Sequence, residues 1–372
     1  MRIGVPKEIK VHEYRAGLLP AAAREVVAHG HEVFVETGLA ERQGFGDDDY
    51  REAGAKVVET AAEVFEQADL IVKVKEPQPS EIAMLRHGQV LFTYLHLAPD
   101  RQQTEGLLAS GVTAIAYETV TDARGRLPLL APMSEVAGRM AVQAGAHCLE
   151  LAQGGRGVLV GGVAGVPPAK VVVLGGGIAG SNAVRAAIGL EASVVCIDVN
   201  IERLYQLDER FGASLDTIYS TRQAVENYVR EADLVIGAAL VPGASAPRII
   251  SRDLVREMKR GAVIVDISID QGGTAETSRP TTHVNPTYVE EGVVHYCVTN
   301  MPGAVARTST QALNNATLPF VLALADEGPI DALRSDPHLR AGLNVHERKL
   351  THPAVADALA IAWVEPLLAL GG

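Results

Sequence analysis

Only three of the 372 residues are cysteine, Cys148, Cys196 and Cys297, and they stand far apart in the chain. An odd, scattered set excludes a disulfide framework, matches no zinc-ligand spacing, and fits a reducing compartment. No run approaches the roughly 18 uninterrupted apolar residues that a membrane helix needs. The opening residues, MRIGVPK, lack the apolar stretch of a signal peptide. Positive charge is also in short supply: 33 Lys and Arg stand against 45 Asp and Glu, a formal net charge of -12. Such an acidic surface disfavours nonspecific binding to nucleic acid or anionic membrane, yet one local cation is enough to hold a small anionic substrate. Internal repeats and low-complexity tracts are absent too. These absences lead to the expectation of a cytoplasmic protein with no nucleic-acid partner and no membrane partner.

What is present is a chain long enough for two domains, 47% hydrophobic and 21% charged. Short β-branched runs at 2–5, 31–36, 70–74, 89–94 and 113–117 alternate with helical stretches such as 20–29 and 61–67. Strands alternating with helices predict a mostly parallel α/β sheet. The stretch 134–153 predicts a long helix with Ser134 as its N-cap. The glycine-rich segment 154–168 reads as a hairpin or linker. Strands follow at 170–174, 193–198, 234–238, 262–267 and 293–298, with helices at 178–190 and 310–326. The C-terminal part is expected to be helical.

One loop carries a mechanism. The apolar strand AKVVVL runs into GGGIAG, in which Gly175, Gly177 and Gly180 have the G-x-G-x-x-G spacing, and a helix begins at once. The first glycine permits a tight turn, the second lets the backbone approach a pyrophosphate, and the third lets helix and strand pack closely. The helix N-terminus adds free N–H groups and a partial positive charge. The next strand, SVVCID, ends in Asp198, where a carboxylate meets adenosine ribose hydroxyls and repels a 2′-phosphate. That favours NAD over NADP; Arg203, five residues on, softens the preference.

Several reactive side chains fall at carboxyl ends of predicted strands, the edge where open α/β sheets bind ligands. Arg15 follows the first strand and is either a surface residue or a fork for a carboxylate. Lys73 and Lys75 share a face by alternation; one of them is free to be solvated, and the turn at Pro77 leaves Lys75 the better placed. His96, in LFTYLHLAP, is either a hydrogen-bonded core residue or a proton-transfer group titrating near neutral pH. Asp270, in SIDQGG, either caps a turn or faces a ligand, and Glu118 reads as structural or as a supporting partner.

Long stretches resemble the alanine dehydrogenase family, which includes the NAD-binding (alpha) subunit of NAD(P) transhydrogenase. They include RIGVPKEIKVHEYR, VKVKEP, LFTYLHLA, LPLLAPMSEVAGR, VVVLGGGIAG, VIGAALVPGASAP, VDISIDQGG, SRPTTH and TNMPGAVARTST, and cover nearly the whole chain. The resemblance implies NAD-dependent oxidative deamination of L-alanine to pyruvate and ammonium, and the reverse. It implies two Rossmann-like, doubly wound parallel-sheet domains, with a dinucleotide domain (129–305) inserted into a discontinuous catalytic domain (1–128 and 306–372). Arg15 and Lys75 are then expected to bind substrate, with His96 and Asp270 as the catalytic pair. Beyond the loop glycines, the expected cofactor contacts are Ser134, Ile178, Ala179, Asp198, Arg203, Ser220, Ala239, Leu240, Ile267, Ser268, Ile269, Arg279, Val298, Thr299, Asn300 and Met301. A homohexamer is implied as well.

The chain departs from the family pattern at Leu19, where a Thr commonly precedes the proline. It departs again at Ala323 and Glu327, where some members carry magnesium ligands, so no metal is expected there. Three rivals stay in view. A transhydrogenase subunit passes hydride to NADP on a partner, but its members carry an Arg-Ala-Gln segment where this chain reads LPLLAPMSEVAGR. The others are a non-catalytic NAD-binding regulator and an amino-acid dehydrogenase for a larger substrate.

Overall fold

The computed structural model describes residues 1–239 and 246–371. The chain divides into two compact units, Met1–Met133 with Gly303–Gly372, and Ser134–Pro302. The first unit opens with β1 (Arg2–Val5), β2 (Glu32–Glu36), β3 (Lys56–Val58), β4 (Leu70–Val72), β5 (Val90–Thr93) and β6 (Thr113–Ala116). The second holds β7 (Lys170–Leu174), β8 (Ser193–Asp198), β9 (Asp216–Tyr219), β10 (Leu234–Gly237), β11 (Val263–Asp266), β12 (Thr287–Glu290) and β13 (Val293–Tyr296). The chain returns to the first unit with β14 (Leu343–His346) and β15 (Lys349–Leu350).

The first sheet is ordered β15-β14-β6-β5-β4-β1-β2-β3, and the second β12-β13-β11-β10-β7-β8-β9. From β3 to β6, and from β9 to β13, every neighbouring pair is parallel. Antiparallel strands appear only at one edge of each sheet. Both sheets are thus doubly wound, and each reverses its direction of growth beside its first strand: between β1 and β4, and between β7 and β10. A crevice outside the carboxyl ends at such a point is where open sheets take ligands.

The strands are Val- and Ile-rich because they are buried on both faces. In the first sheet Ile3, Leu70, Val72, Phe92 and Ile115 pack into one cluster, while Ile71, Leu91, Ala114 and Ala116 pack into another on the opposite face. Helices such as Pro20–Ala28 and Ala61–Gln67 cover these faces.

Two expectations need correction. The long helix runs Ala131–Cys148, so Ser134 lies within its first turns and is not its N-cap. Pro132 lies in that helix's first turn, where its fixed φ fits and its missing N–H is one that no helix bond would use. The C-terminal part is not all helical, because β14 and β15 form a hairpin on β6. Its two-residue turn, Glu347-Arg348, has both residues at positive φ (44° and 65°), the geometry of a type I′ turn. Asn-Gly would have advertised that turn; Glu-Arg conceals it. Within 154–168, Val163 and Val166 close a tight antiparallel turn.

Candidate functional site

The carboxyl edge of the first sheet gathers charged side chains from successive loops. Arg15 is buried, 2% exposed, on the loop after β1. Its Nε donates to Glu13 Oε1 at 2.7 Å, its NH2 group to Glu13 Oε2 at 2.5 Å, and its backbone N–H to Glu13 Oε1 at 3.0 Å. The NH1 group reaches Met133 Sδ at 2.9 Å. Burial works against the guanidinium charge, but Glu13 outweighs it and holds the arginine pKa above its ordinary value. The arginine is thus a fixed fork rather than a mobile surface cation.

Lys75 is half-buried just past β4. Its carbonyl accepts from Thr93 Oγ1 at 3.0 Å, and its N–H donates to Glu8 Oε1 at 3.3 Å. Lys73 is not solvated: it is 0% exposed and paired with Glu8 and Glu81. The alternation argument failed there because the loop after β1 supplies a carboxylate over the strand's end.

His96 stands past β5 at φ 49°, a left-handed conformation that a non-glycine residue adopts only when its surroundings hold it there. Glu118, past β6, does so. Its carboxylate accepts the N–H of His96 at 2.6 Å and of Leu95 at 3.2 Å, and its Oε1 lies 3.7 Å from His96 Nδ1. The imidazole stacks parallel to the buried Tyr94 ring, with centroids 5.8 Å apart. The Tyr94 hydroxyl donates to Leu129 O at 2.5 Å, and burial, with Arg15 opposing, pushes that phenol above its ordinary value. Arg15, Lys75 and His96 therefore share one sheet edge, with Tyr94 electrostatically coupled to the first and stacked on the last.

The second sheet's edge is built from backbone. Gly175 turns at φ 99°, and a Cβ there would stand 2.8 Å from Ala238 O. A Cβ on Gly180 would lie 1.8 Å from Gly175 O, so helix Ile178–Gly189 packs on β7 as only glycine allows. A Cβ on Gly177 would meet nothing within 4 Å, and the neighbouring Ile178 is 40% exposed. This is the cradle a pyrophosphate requires: tight where chain meets chain and open where the ligand comes. Ala179 O would lie 2.0 Å from a Cβ on Gly138, which fixes the long helix against the loop's helix.

Asp198 accepts Gly176 N–H at 2.6 Å on one oxygen and Asn200 N–H at 2.8 Å on the other. Arg203 donates from Nε to Gly176 O at 2.5 Å and from NH1 to Gln206 Oε1 at 2.9 Å, which ties its guanidinium to the loop. Ser220 N–H reaches Asp198 O at 2.9 Å. The turn Ile267–Gln271 carries Ser268, Ile269 and the exposed Asp270; Ser268 Oγ donates to Ala239 O at 2.7 Å. Arg279 lies 4.0 Å over the Tyr288 ring. Val298 pairs with Thr281, Thr299 N–H donates to Thr281 O, and Asn300 takes a left-handed φ of 55° before the buried Met301. Ser134 sits half-buried on its helix. Leu240 lies outside the described residues. Asp270 belongs to the second unit, and Arg15, Lys75 and His96 to the first.

Several organising residues escaped the sequence reading. Glu13 and Glu8 sit in the same quoted stretch as Arg15, but their partners lie off any helical or strand period. Asp266, fully buried, accepts from Ser268 N–H, Thr274 N–H and Ser278 Oγ, and so shapes the whole loop that follows β11. Only the following SIDQGG turn hinted at it. The three cysteines are buried and free, and burial pushes their thiols up, to about 11 for Cys148 and Cys297 and about 12 for Cys196, which removes them as nucleophiles. Among the described residues no group of three or more His, Cys, Asp or Glu is arranged to hold a metal. No helix among them is long and apolar enough to cross a membrane.

Known proteins resemble this arrangement along its whole length. Residues 4–137 match the model of the alanine dehydrogenase/PNT N-terminal domain, and residues 141–353 that of the C-terminal domain. An alanine dehydrogenase of Halomonas elongata is 59% identical over 371 residues, covering 100% of both chains. One of Mycobacterium tuberculosis is 54% identical, covering 98% of this chain and 99% of its own. A solved L-alanine dehydrogenase superposes with a TM-score of 0.94 at 53% identity, over 97% of this chain and 99% of the other. A transhydrogenase from Sinorhizobium meliloti superposes less well, with a TM-score of 0.81 at 25% identity, over 95% and 100%.

Proposed function

The chain belongs to the alanine dehydrogenase/PNT family, and from that membership we propose that it is an NAD-dependent alanine dehydrogenase. It deaminates L-alanine oxidatively to pyruvate and ammonium and runs the reductive amination in reverse. The first unit is the catalytic domain and the second the dinucleotide domain. The observation that carries the reading is the grouping of Arg15, Lys75 and His96 at the carboxyl edge of a sheet, in a chain whose second sheet offers a glycine cradle ending in Asp198.

The cradle fits a dinucleotide: Gly177 leaves room for a pyrophosphate, and the Asp198 carboxylate favours ribose hydroxyls over a 2′-phosphate. Ser134, Ile178, Ala179, Arg203, Ser220, Ala239, Leu240, Ile267, Ser268, Ile269, Arg279, Val298, Thr299, Asn300 and Met301 complete its surroundings. When bound, nicotinamide supplies the hydride acceptor. The protein's own residues do the rest. Arg15, rigid against Glu13, holds the substrate carboxylate in a charge-assisted hydrogen bond of about 1.5–3 kcal/mol. Lys75 donates to the developing carbonyl or carbinolamine oxygen. His96 moves the protons that water addition and ammonia departure require, with Nδ1 facing Glu118 and Nε2 left for the substrate. Asp270 orients the amine or the water and shares that proton work. No metal is expected at Ala323 and Glu327, and in this proposal the protein is cytoplasmic and assembles as a homohexamer.

The test is NADH formation from NAD with a panel of L-amino acids, repeated with NADP. Alanine-dependent reduction of NAD, far weaker with NADP, is expected. No alanine-dependent signal would leave a non-catalytic binder, a larger amino acid in alanine's place would leave a related dehydrogenase, and hydride transfer to NADP on an added partner would leave a transhydrogenase subunit.

A further inference from the structure

Lys73 has no place in that chemistry, yet it is 0% exposed and fully charged-paired. Its ammonium lies 2.7 Å from Glu81 Oε1 and 3.0 Å from Glu8 Oε2, and the two carboxylate side chains are themselves only 2% and 3% exposed. The acids come from different elements. Glu81 sits in helix Pro79–Ile82 and caps it by accepting Gln78 N–H at 2.7 Å. Glu8 comes from the loop after β1 and makes a second set of contacts. Its Oε1 accepts Val74 N–H at 2.7 Å and Lys75 N–H at 3.3 Å.

A buried trio of this kind is a poor device for stability alone. Desolvating three charges is costly, and apolar side chains of the same volume do as well or better. What the trio does is local. Strand β4 ends at Val72, and three residues later the backbone amide of Lys75 is held by a side chain. The loop that bears Glu8 also bears Glu13 and Arg15.

We infer that Glu8, oriented by Lys73, is a positioning residue for substrate binding: it fixes the backbone at Val74 and Lys75, and ties the segment carrying the substrate lysine to the loop carrying Arg15. The inference rests on the reading above that Lys75 binds substrate. Displacing a positioned group by one ångström can lower a rate by about a hundredfold, so this tether is worth the charge it buries.

The test uses the full chain with pyruvate, ammonium and NADH, and measures KM, kcat, NADH Kd and Tm. Glu8→Ala is expected to raise the pyruvate KM about tenfold and to lower kcat, with NADH Kd unchanged. Glu8→Gln keeps one acceptor oxygen for both amides but sets its NH2 against the Lys73 ammonium, so it recovers only part of the loss. Glu81→Gln keeps an acceptor for the helix cap but removes a charged partner of Lys73, so it lowers Tm while KM stays parental. Parental KM in Glu8→Ala, or the same KM rise in Glu81→Gln as in Glu8→Ala, overturns the inference. Should Glu8→Ala fail to fold, Glu8→Asp keeps the charge for Lys73 but withdraws the carboxylate from the amides; a raised KM is expected, and a parental one overturns. Lys75→Met separates the two levels. Undiminished turnover in it sinks the reading of the site, whereas a dead Lys75→Met beside a fully active Glu8→Ala sinks the positioning role alone.

Discussion

The two units repeat one strand order and furnish its carboxyl edge in opposite ways. The first edge is built from polar and charged side chains, and its buried cations are met by counter-ions inside the protein: Arg15 by Glu13, Lys73 by Glu8 and Glu81. The second is built from glycine backbone, and two of its carboxylates serve the chain itself: Asp198 holds Gly176, and Asp266 holds the turn after β11, which presents the exposed Asp270. In the reading proposed above each edge takes a ligand, and the side chains decide what kind. An edge of held charges selects by carboxylate and proton chemistry. An edge of open glycine backbone selects by shape and by free N–H groups.

The largest expected effect tests whether proton transfer depends on His96 at the first edge. His96→Ala should lower kcat by about 10²–10⁴, the usual contribution of a positioned acid–base group, with NADH Kd unchanged. Near-parental turnover, measured by NADH oxidation with pyruvate and ammonium, would remove His96 from the mechanism. Loss of dinucleotide affinity alongside turnover would break the comparison itself.

Next in size is the glycine cradle. Gly180→Ala puts a Cβ 1.8 Å from Gly175 O, against backbone that has nowhere to go. A cost of about 3 kcal/mol or more is expected, at the upper end of single substitutions, with Tm and NADH affinity falling together. Gly177→Ala meets open space instead, so it should keep its Tm and lose affinity alone. Equal melting losses in the two variants would contradict the distinction between a packing glycine and a ligand-facing one.

Much of this was legible in the sequence, and the rest was hidden for physical reasons. The cradle could be read because each glycine answers a local backbone demand, and a strand and a helix flank it within a few residues. Arg15, Lys75 and His96 stood out as candidates because they fall at strand ends, but their expected roles came only from the family resemblance. The partners of these residues could not be read. Glu8 meets Lys73 across 65 residues, and only the folded sheet brings them together. Glu13 and Arg15 are two apart in an irregular loop, where no period announces a pair. The β14–β15 hairpin was missed because Glu347 and Arg348 take left-handed φ without a glycine or asparagine to signal it.

A smaller effect concerns cofactor choice. Asp198→Ala removes the carboxylate expected to face the ribose and also frees Gly176 N–H. The NAD-over-NADP preference in kcat/KM should fall by about tenfold to a hundredfold, the value of one charged hydrogen bond. An unchanged preference would move discrimination away from this edge and onto residues such as Arg203.

The smallest effect concerns a buried histidine of the second unit. His295 on β13 is fully buried, with Nε2 2.8 Å from Thr277 Oγ1 and Nδ1 3.0 Å from Val293 O. Burial pushes its imidazole pKa below the ordinary value. The unfolded chain therefore takes up a proton, near about pH 6.5, that the folded chain refuses. Its stabilising contribution is fully present above that pH and is lost as pH falls toward the folded pKa, at no more than about 1.4 kcal/mol per pH unit. His295→Gln removes the titrating group, so its Tm should fall less than the parent's between about pH 7.5 and 5.5. His346 and His352, also depressed by burial, lie in the first unit and titrate alike in both proteins, so the difference isolates His295. The imidazole also stacks on Tyr288 at 5.0 Å, and Arg279 lies over the same ring. The folded chain keeps this imidazole neutral over that range, so NADH affinity should not follow its titration in either protein. Parallel pH profiles for the two proteins would mean that His295 takes up its proton alike in the folded and the unfolded chain, against the direction that its burial sets.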